Sequence, residues 1–331
     1  MRNRGIKLPS NLDSNLAVKS DDFSSDTNIR EFLETFHTFM GIKELEGLTN
    51  RTLKDYRDIM GYFEKYLKEQ RSTGQVRRGN ISIDLIRSYL YYMVKERKLK
   101  NSTVNIRLRS MKVYLNWLYE EGKLEHNIAK RLKLLKVEDN KVRTLSDKEV
   151  RKMLRTPDKT SYRGFRTFVI MVLMLDAGPR VSETVNIKID DVNLREGIVT
   201  IRGSEAKSKK YRELPISNKT KKLLKQLIDI SKSNNEEYVF LNAYDGGKVS
   251  SDQVMRDFQR CYKMAGLESK GIHSWRHTFA TNFIKNGGNA FTLQRIMGHS
   301  TMDMTKRYVN MENKTLRDHH RRVGSIDRYL K

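Results

Sequence analysis

The residues that could carry chemistry in this chain are cationic and proton-transferring groups in its second half. Arg180 and Glu183 lie three residues apart in the segment GPRVSE. His273 and Arg276, in HSWR, have the spacing that places two side chains on one face of a helical turn. Guanidinium groups bind phosphate through planar, bidentate hydrogen bonds, and imidazole changes its charge near neutral pH. These residue types can therefore bind an anion and transfer protons.

Three further segments carry reactive side chains. Lys207 lies in a basic loop with Lys209 and Lys210, His299 follows a glycine in GHS, and Tyr308 ends MTKRY nine residues later. Each residue taken singly has a plain structural explanation. An arginine in a basic protein is commonly a surface charge, and one tyrosine among fifteen commonly packs in a core. The order and the context of the segments must therefore carry the functional argument.

The charge of the chain indicates a polyanionic partner. The 331 residues include 65 Lys and Arg against 40 Asp and Glu, which gives a formal net charge of +25. Such an excess favours DNA or RNA, because bound cationic side chains release the counterions of the phosphate backbone. The alternative is a basic surface that only keeps the protein in solution. Charge alone does not identify a reaction.

Several classes of protein are disfavoured by what the sequence lacks. No apolar run approaches the roughly 20 residues of a membrane span, and the first residues contain no apolar stretch typical of a secretory signal. A single cysteine, Cys261, leaves no internal disulfide and no cysteine-based zinc site. Neither a P-loop nor an H-E-x-x-H motif occurs. We predict a cytoplasmic protein, nucleoid-associated if bacterial, with no metal and no cofactor.

The first half of the chain has the apolar periodicity of helices. Residues 1–27 are polar and aperiodic, so we expect a mobile tail there. In residues 28–135 apolar side chains recur every three or four positions, which predicts a domain of four main helices packed through these stripes. Thr49 is the expected N-cap of the second helix, and the fourth begins near Asn101. The opposite faces are predicted to carry basic residues, namely Lys54, Arg57, Arg107, Arg109 and Lys112.

The second half has a mixed pattern. Residues 136–143 are charged and aperiodic, as in a linker, and a domain over 144–312 opens with a capping box, Ser146-x-x-Glu149. The run 168–175 predicts a buried helix, segments 197–203 and 211–216 predict two short strands, and helices follow from residue 220. Residues 313–331 form a basic C-terminal tail. The predicted fold class is mainly α with a small β-sheet.

The order of the reactive segments resembles the tyrosine recombinase (phage integrase) family. The matching segments are GPRVSE, AKSKKYRELP, HSWRHTFAT, LQRIMGHS and MTKRY. The likeness covers about 145–312 through these motifs and about 29–135 through architecture. It implies an N-terminal helical core-binding (SAM-like) domain followed by the tyrosine-recombinase catalytic domain. One departure is Pro179, where the family more often has an aliphatic residue; proline restrains the backbone before Arg180 but leaves its guanidinium.

The resemblance also implies a role for each residue. Tyr308 is the nucleophile that forms a 3′-phosphotyrosyl bond to DNA, and Lys207 is the general acid for the leaving 5′-oxygen, with Lys209 and Lys210 as close rivals. Lys207 is preferred because, counting back from the segment YRELP, its position matches the hairpin of the family that the chain resembles. The remaining residues bind the phosphate or move its protons: Arg180 and Arg276 as phosphate ligands, His299 as a further hydrogen-bond donor, His273 as the base for the tyrosine, and Glu183 in support.

The family also implies partners and rival functions. Family members recombine double-stranded DNA at inverted-repeat sites as homotetramers, through a Holliday junction, in some cases with accessory DNA-bending or directionality proteins. We expect residues 313–331 to dock on a neighbouring protomer. Integration, excision or resolution of a mobile element is our first reading of the biological role, and chromosome-dimer resolution is the alternative. A type IB topoisomerase and a non-catalytic DNA-binding regulator are the remaining rivals.

Overall fold

The computed structural model divides between residues 139 and 140 into two compact units. The predicted tails at 1–27 and 313–331, and the lysines 207, 209 and 210, lie outside the described residues. No helix within the described segments is long and apolar enough to cross a membrane. The residues that the structure describes are 28–72, 80–137, 143–202 and 211–309.

The first unit is helical, and its helices begin where the sequence provides caps. The side chain of Asn28 accepts a hydrogen bond from the backbone N–H of Glu31 at 2.8 Å, and Thr49 accepts one from Thr52 at 3.3 Å, as predicted. A π-helical turn, Tyr92–Glu96, follows the third helix. The α-helices are α1 Ile29–Leu45, α2 Asn50–Ser72, α3 Ile83–Tyr91, α4 Asn101–Glu120 and α5 Ile128–Arg131.

The core of the first unit is rich in aromatic rings. Phe32 and Phe39 of α1 pack against Tyr114 of α4, whose hydroxyl donates to the backbone oxygen of Phe32 at 2.5 Å. The predicted stripes therefore meet in one core. Two of the basic residues predicted on the outer faces are half-buried instead. Arg107 lies over the ring of a tyrosine on α2, and Lys112 donates to a backbone carbonyl near α5.

The second unit is built around α7, whose apolar residues are those of the predicted buried helix. This helix packs against α9 and α11. The capping box at Ser146 and Glu149 is present, as predicted, and starts α6. The helices are α6 Asp147–Arg155, α7 Tyr162–Asp176, α8 Val181–Thr184, α9 Asn218–Ser233, α10 Ser251–Met264, α11 His273–Lys285, α12 Ala290–Met297 and α13 Asp303–Val309.

A small antiparallel sheet lies between α8 and α9. Its strands are β1 Val192–Asn193, β2 Ile198–Ile201 and β3 Arg212–Pro215, in the order β1-β2-β3. The sequence predicted the second and third strands but not the first, which is two residues long and shows no alternation. On β3, Arg212 and Leu214 are buried while Glu213 is exposed. The alternation therefore turns an arginine inward.

A separate apolar cluster joins the last three described helices. It contains Phe279 and Ala280 of α11, Leu293 and Met297 of α12, and Tyr308 of α13. Because α13 contacts both α11 and α12, this cluster fixes the position of Tyr308 relative to the histidines and arginine of α11.

Candidate active site

The site begins at the N-terminus of α8, where Arg180 and Glu183 bond to each other. The carboxylate of Glu183 accepts the backbone N–H of Arg180 at 2.7 Å and the guanidinium of the same residue at 2.8 Å. The glutamate is buried, so its charge acts in a medium that screens it weakly. Pro179 precedes this pair and does not prevent the contact.

Arg212 is the second arginine that binds the carboxylate of Glu183. Its guanidinium donates to both carboxylate oxygens of Glu183, at 3.1 and 2.6 Å, and its Nε donates to the backbone oxygen of Ile296 at 2.9 Å. Burial alone would raise the pKa of Glu183, but the hydrogen bonds and charges of Arg212 and Arg180 lower it below its usual value. Arg212 thus ties β3 to α8 and to the end of α12.

Arg276 approaches the same place from α11. Its guanidinium donates to the backbone oxygens of Gly178 and Met297, while Arg180 donates to the oxygen of Gly298 at 3.4 Å. Burial, followed by the charge of Arg180, lowers the pKa of Arg276 to about 9. The two arginines therefore meet at the adjacent backbone oxygens of Met297 and Gly298, where their charges repel until an anion binds.

His299 lies in the loop between α12 and α13, directly after a left-handed residue, Gly298, with a φ of 60°. Its Nδ1 lies 2.9 Å from the hydroxyl of Thr305. Burial and then the charges of Arg276 and Arg180 lower the pKa of His299 to about 4. The ring is therefore neutral at pH 7 and faces two cations.

Tyr308 of α13 is 4% exposed, and its hydroxyl is held by a histidine. The Nδ1 of His277 lies 2.7 Å from this hydroxyl, and the ring of His299 is nearly parallel to the tyrosine ring, at 12° and 6.4 Å between centroids. Burial raises the pKa of Tyr308 above its usual value, against the opposing charges of Arg276 and Arg307. The tyrosine is therefore protonated at neutral pH and lies near the charge of Arg276.

His273 is the residue that the sequence predicted as the base for the tyrosine. It is the first residue of α11 and is exposed to solvent. Partial burial, then the charges of Arg276 and Arg180, lower its pKa. Among the described residues, the hydroxyl of Tyr308 forms its hydrogen bond with His277 and not with His273.

The structure brings six of the predicted residues to one region, or into contact with residues that form it: Arg180, Glu183, His273, Arg276, His299 and Tyr308. Lys207, with its rivals Lys209 and Lys210, lies outside the described residues. In sequence these lysines fall between β2 and β3, and β3 begins at Arg212, which bonds Glu183. In the described part of the chain, no group of three or more His, Cys, Asp or Glu side chains could hold a metal ion.

Two residues of the site were not predicted from the sequence. His277 follows Arg276 and lies four positions after His273, so helical spacing places it on the same face. Arg212 occupies an inward position of a strand, where a charged side chain needs a partner. Both signals were present in the sequence, but neither names the distant residue that each side chain contacts.

Comparison with known proteins decides the family. The profile of the phage integrase family matches residues 143–315, which is more than half of the chain. The chain belongs to the phage integrase family. A second profile, the phage integrase SAM-like domain, matches residues 31–134. The predicted fold class is thereby confirmed for both parts: a SAM-like helical domain and an integrase catalytic domain that is mainly helical with a small sheet.

Relatives of this integrase family member match it over nearly their full length. Tyrosine recombinase XerC of Thermodesulfovibrio yellowstonii is 28% identical over 299 residues, covering 88% of this chain and 95% of that protein. Tyrosine recombinase XerA of Pyrococcus furiosus is 27% identical over 304 residues, covering 91% and 96%.

Two solved structures show the same fold. A lambda integrase tetramer bound to a Holliday junction has a TM-score of 0.68 at 18% identity, covering 87% of this chain and 78% of that one. The Tn1549 transposon integrase in complex with transposon right end DNA has a TM-score of 0.69 at 19% identity, covering 86% and 97%.

Proposed function

We propose that this protein is a site-specific tyrosine recombinase that cuts and rejoins duplex DNA through a 3′-phosphotyrosyl intermediate. One observation carries the proposal: Arg180 and Arg276 donate to the adjacent backbone oxygens of Gly298 and Met297, and the nucleophile candidate, Tyr308, packs in the same apolar cluster as Met297. Two guanidiniums with an excess of positive charge fit a phosphodiester. Membership of the phage integrase family and the net charge of +25 support DNA as the substrate.

Because His299 is neutral, it can act as a hydrogen-bond donor to the phosphate. When the hydroxyl of Thr305 donates to its Nδ1, the single ring proton lies on Nε2. Nε2–H can then donate to a non-bridging oxygen of the phosphate held by Arg180 and Arg276. These donors stabilise the charge that develops on the five-coordinate phosphorus, so the protein's own groups supply what a metal ion supplies elsewhere.

The reaction exchanges one phosphate ester for another. The oxygen of Tyr308 attacks the phosphorus and displaces the 5′-oxygen, which takes a proton from Lys207; Lys209 and Lys210 are the rival acids. The phosphotyrosine retains the energy of the broken ester, so rejoining to a 5′-hydroxyl of another strand needs no ATP. Glu183 holds the arginine through the contacts described above and transfers no proton.

The proposed nucleophile is tested by trapping the covalent intermediate on a nicked duplex. The nick lets the short 5′-hydroxyl strand diffuse away after cleavage, so a denaturation-resistant adduct accumulates and mass spectrometry identifies the attached residue. Tyr308→Phe should abolish the adduct while binding the same duplex with unchanged affinity. Tyr244→Phe, which removes an exposed phenol of the same unit, should form the adduct normally.

Three outcomes would contradict the proposal. An adduct retained by Tyr308→Phe would refute the nucleophile. Tight, sequence-specific binding without any adduct would favour a non-catalytic regulator. Relaxation of one supercoiled duplex without joining of two sites would favour a type IB topoisomerase.

The assembly and the biological role extend the same proposal. We propose a homotetramer on two inverted-repeat sites that passes through a Holliday junction, with residues 313–331 docked on a neighbouring protomer. The lambda integrase structure supports this assembly. We place the enzyme in the cytoplasm with its DNA, and propose that it integrates, excises or resolves a mobile element, with accessory DNA-bending or directionality proteins as possible partners. The Xer relatives, matched over nearly their full length, favour chromosome-dimer resolution as the alternative.

A further inference from the structure

We infer that His277 is the residue that takes the phenolic proton from Tyr308 when the tyrosine attacks DNA. This inference rests on the proposed function and names a catalytic residue for it. The sequence motifs favoured His273 for this task. The geometry instead assigns the task to the histidine four residues later, which contacts the reacting oxygen directly.

The contact between His277 and Tyr308 is held in place by the packing of α11, α12 and α13. The Nδ1 of His277 lies 2.7 Å from the hydroxyl of Tyr308, within the distance at which a phenol transfers its proton. The ring of Tyr308 is fixed in the apolar cluster of α11, α12 and α13, and the two rings lie 5.9 Å apart between centroids. His273 is exposed one helical turn earlier, and in the described structure it forms no hydrogen bond with Tyr308.

The proton transfer balances with the proposed cleavage. When the hydroxyl of Tyr308 donates to Nδ1 of the neutral His277, the single ring proton lies on Nε2, and Nδ1 can take the hydroxyl proton as the new O–P bond forms. The bond from phosphorus to the 5′-oxygen breaks, and that oxygen takes a proton from Lys207. In the rejoining step the 5′-hydroxyl returns a proton to Lys207, and His277 returns its proton to the departing tyrosine oxygen.

The charges around His277 explain how bound DNA would raise its basicity. The charged and titratable groups near His277 are His273 and Arg276 on α11, Arg307 and Tyr308 on α13, and His299 in the loop before α13. Burial, then the neighbouring His273, Arg276 and Arg307, lower the pKa of His277 to about 4. A phosphate bound by Arg276 offsets part of this positive charge. His277 therefore becomes a stronger base when the substrate is in place.

The test measures single-turnover adduct formation on the nicked duplex between about pH 6 and 9.5. His277→Asn keeps a hydrogen-bonding side chain but cannot take up a proton. We expect adduct formation at neutral pH to slow by roughly 100-fold, with unchanged DNA affinity, and the deficit to shrink as rising pH increases the small ionised fraction of the phenol. His37→Asn, on an exposed histidine of α1, should leave the rate unchanged. His273→Asn provides the comparison with the rival base.

A second measurement separates proton transfer from positioning. Fluorinated tyrosine at position 308 is a more acidic phenol and depends less on a base, so it should shrink the difference between wild type and His277→Asn. A purely structural defect would leave that difference unchanged. If His277→Asn does not fold, His277→Gln is examined in the same way.

The outcomes are distinct. Adduct formation by His277→Asn at or above the wild-type rate would overturn the inference, and a faster rate would identify His277 as a latch on the resting tyrosine. A pH-dependent loss in His273→Asn alone would return the task to His273. Absence of an adduct from the wild-type protein would instead overturn the proposed function itself.

Discussion

Replacing Arg212 by methionine should destabilise the second unit by about 3–5 kcal/mol, because it leaves a buried carboxylate short of a partner. Glu183 is 2% exposed and accepts two hydrogen bonds from Arg212. Arg180 remains as a partner through its N–H and guanidinium, so we expect the lower end of this range. For a unit of this size, about 3 kcal/mol corresponds to a fall in Tm of roughly 6–12 °C.

The two tryptophans of the chain allow the unfolding of this unit to be measured in the intact protein. Trp117 lies in the first unit and Trp275 in the second, where it is fully buried. In a Trp117→Phe background, the fluorescence of Trp275 therefore reports urea unfolding of the second unit alone. Lys225→Met is the control, since it removes an exposed ion pair with Asp229 that contributes about 0.2–1 kcal/mol.

The double variant Arg212→Met, Glu183→Met tests whether the buried carboxylate causes the loss of stability in Arg212→Met. Removing the carboxylate as well should recover part of the loss, because no buried charge is then left short of partners. If Arg212→Met costs no more than Lys225→Met, or if the losses of the two single variants add without recovery, the buried ion pair is not what stabilises this part of the fold.

Two further predictions use the same fluorescence assay. Gly298→Ala should destabilise the unit by more than Gly246→Ala. Both glycines have a positive φ, which costs an alanine about 1–2 kcal/mol. Only at Gly298 would the added Cβ also lie 3.1 Å from the side chain of Arg212. Equal losses would show that this contact has no cost. Stability should also fall as the pH drops from about 6.5 to 4, because His277 and His299 have folded pKa values of about 4 and the unfolded chain binds more protons in that range. The urea concentration at the unfolding midpoint, measured as a function of pH, tests this prediction. His299→Gln should make the midpoint depend less steeply on pH, and an unchanged pH dependence would contradict the neutral, buried state of His299.

Local patterns predicted most of the fold because they act over short distances. The capping box at Ser146 requires only residues three positions apart, and the apolar run of α7 is longer than any strand of this chain that the structure describes. Strand β1 could not be found in this way. Its two residues, Val192 and Asn193, are held by pairing with Val199 and Ile198 of β2, so the strand exists only once its neighbour is in place.

The same difference between local and distant contacts separates the site residues that were predicted from those that were not. Arg180 and Tyr308 were predicted because the order and context of their motifs resemble those of a known family. Arg212 and His277 act through partners that are distant in sequence: Glu183 lies 29 positions from Arg212, and Tyr308 lies 31 positions from His277. Local spacing cannot supply such pairs.

Burial can still reveal that a distant partner is needed. A guanidinium turned inward on a strand has a large desolvation cost, and no acidic residue within its own strand can offset it, since Glu213 points to the opposite face. Arg212 at an inward position therefore implies a carboxylate from another element. In the second unit that carboxylate is Glu183, which also holds Arg180. Glu183 thus both offsets the charge of Arg212 and orients Arg180, the proposed phosphate ligand, so substitutions of Arg212 should impair folding stability and DNA cleavage together.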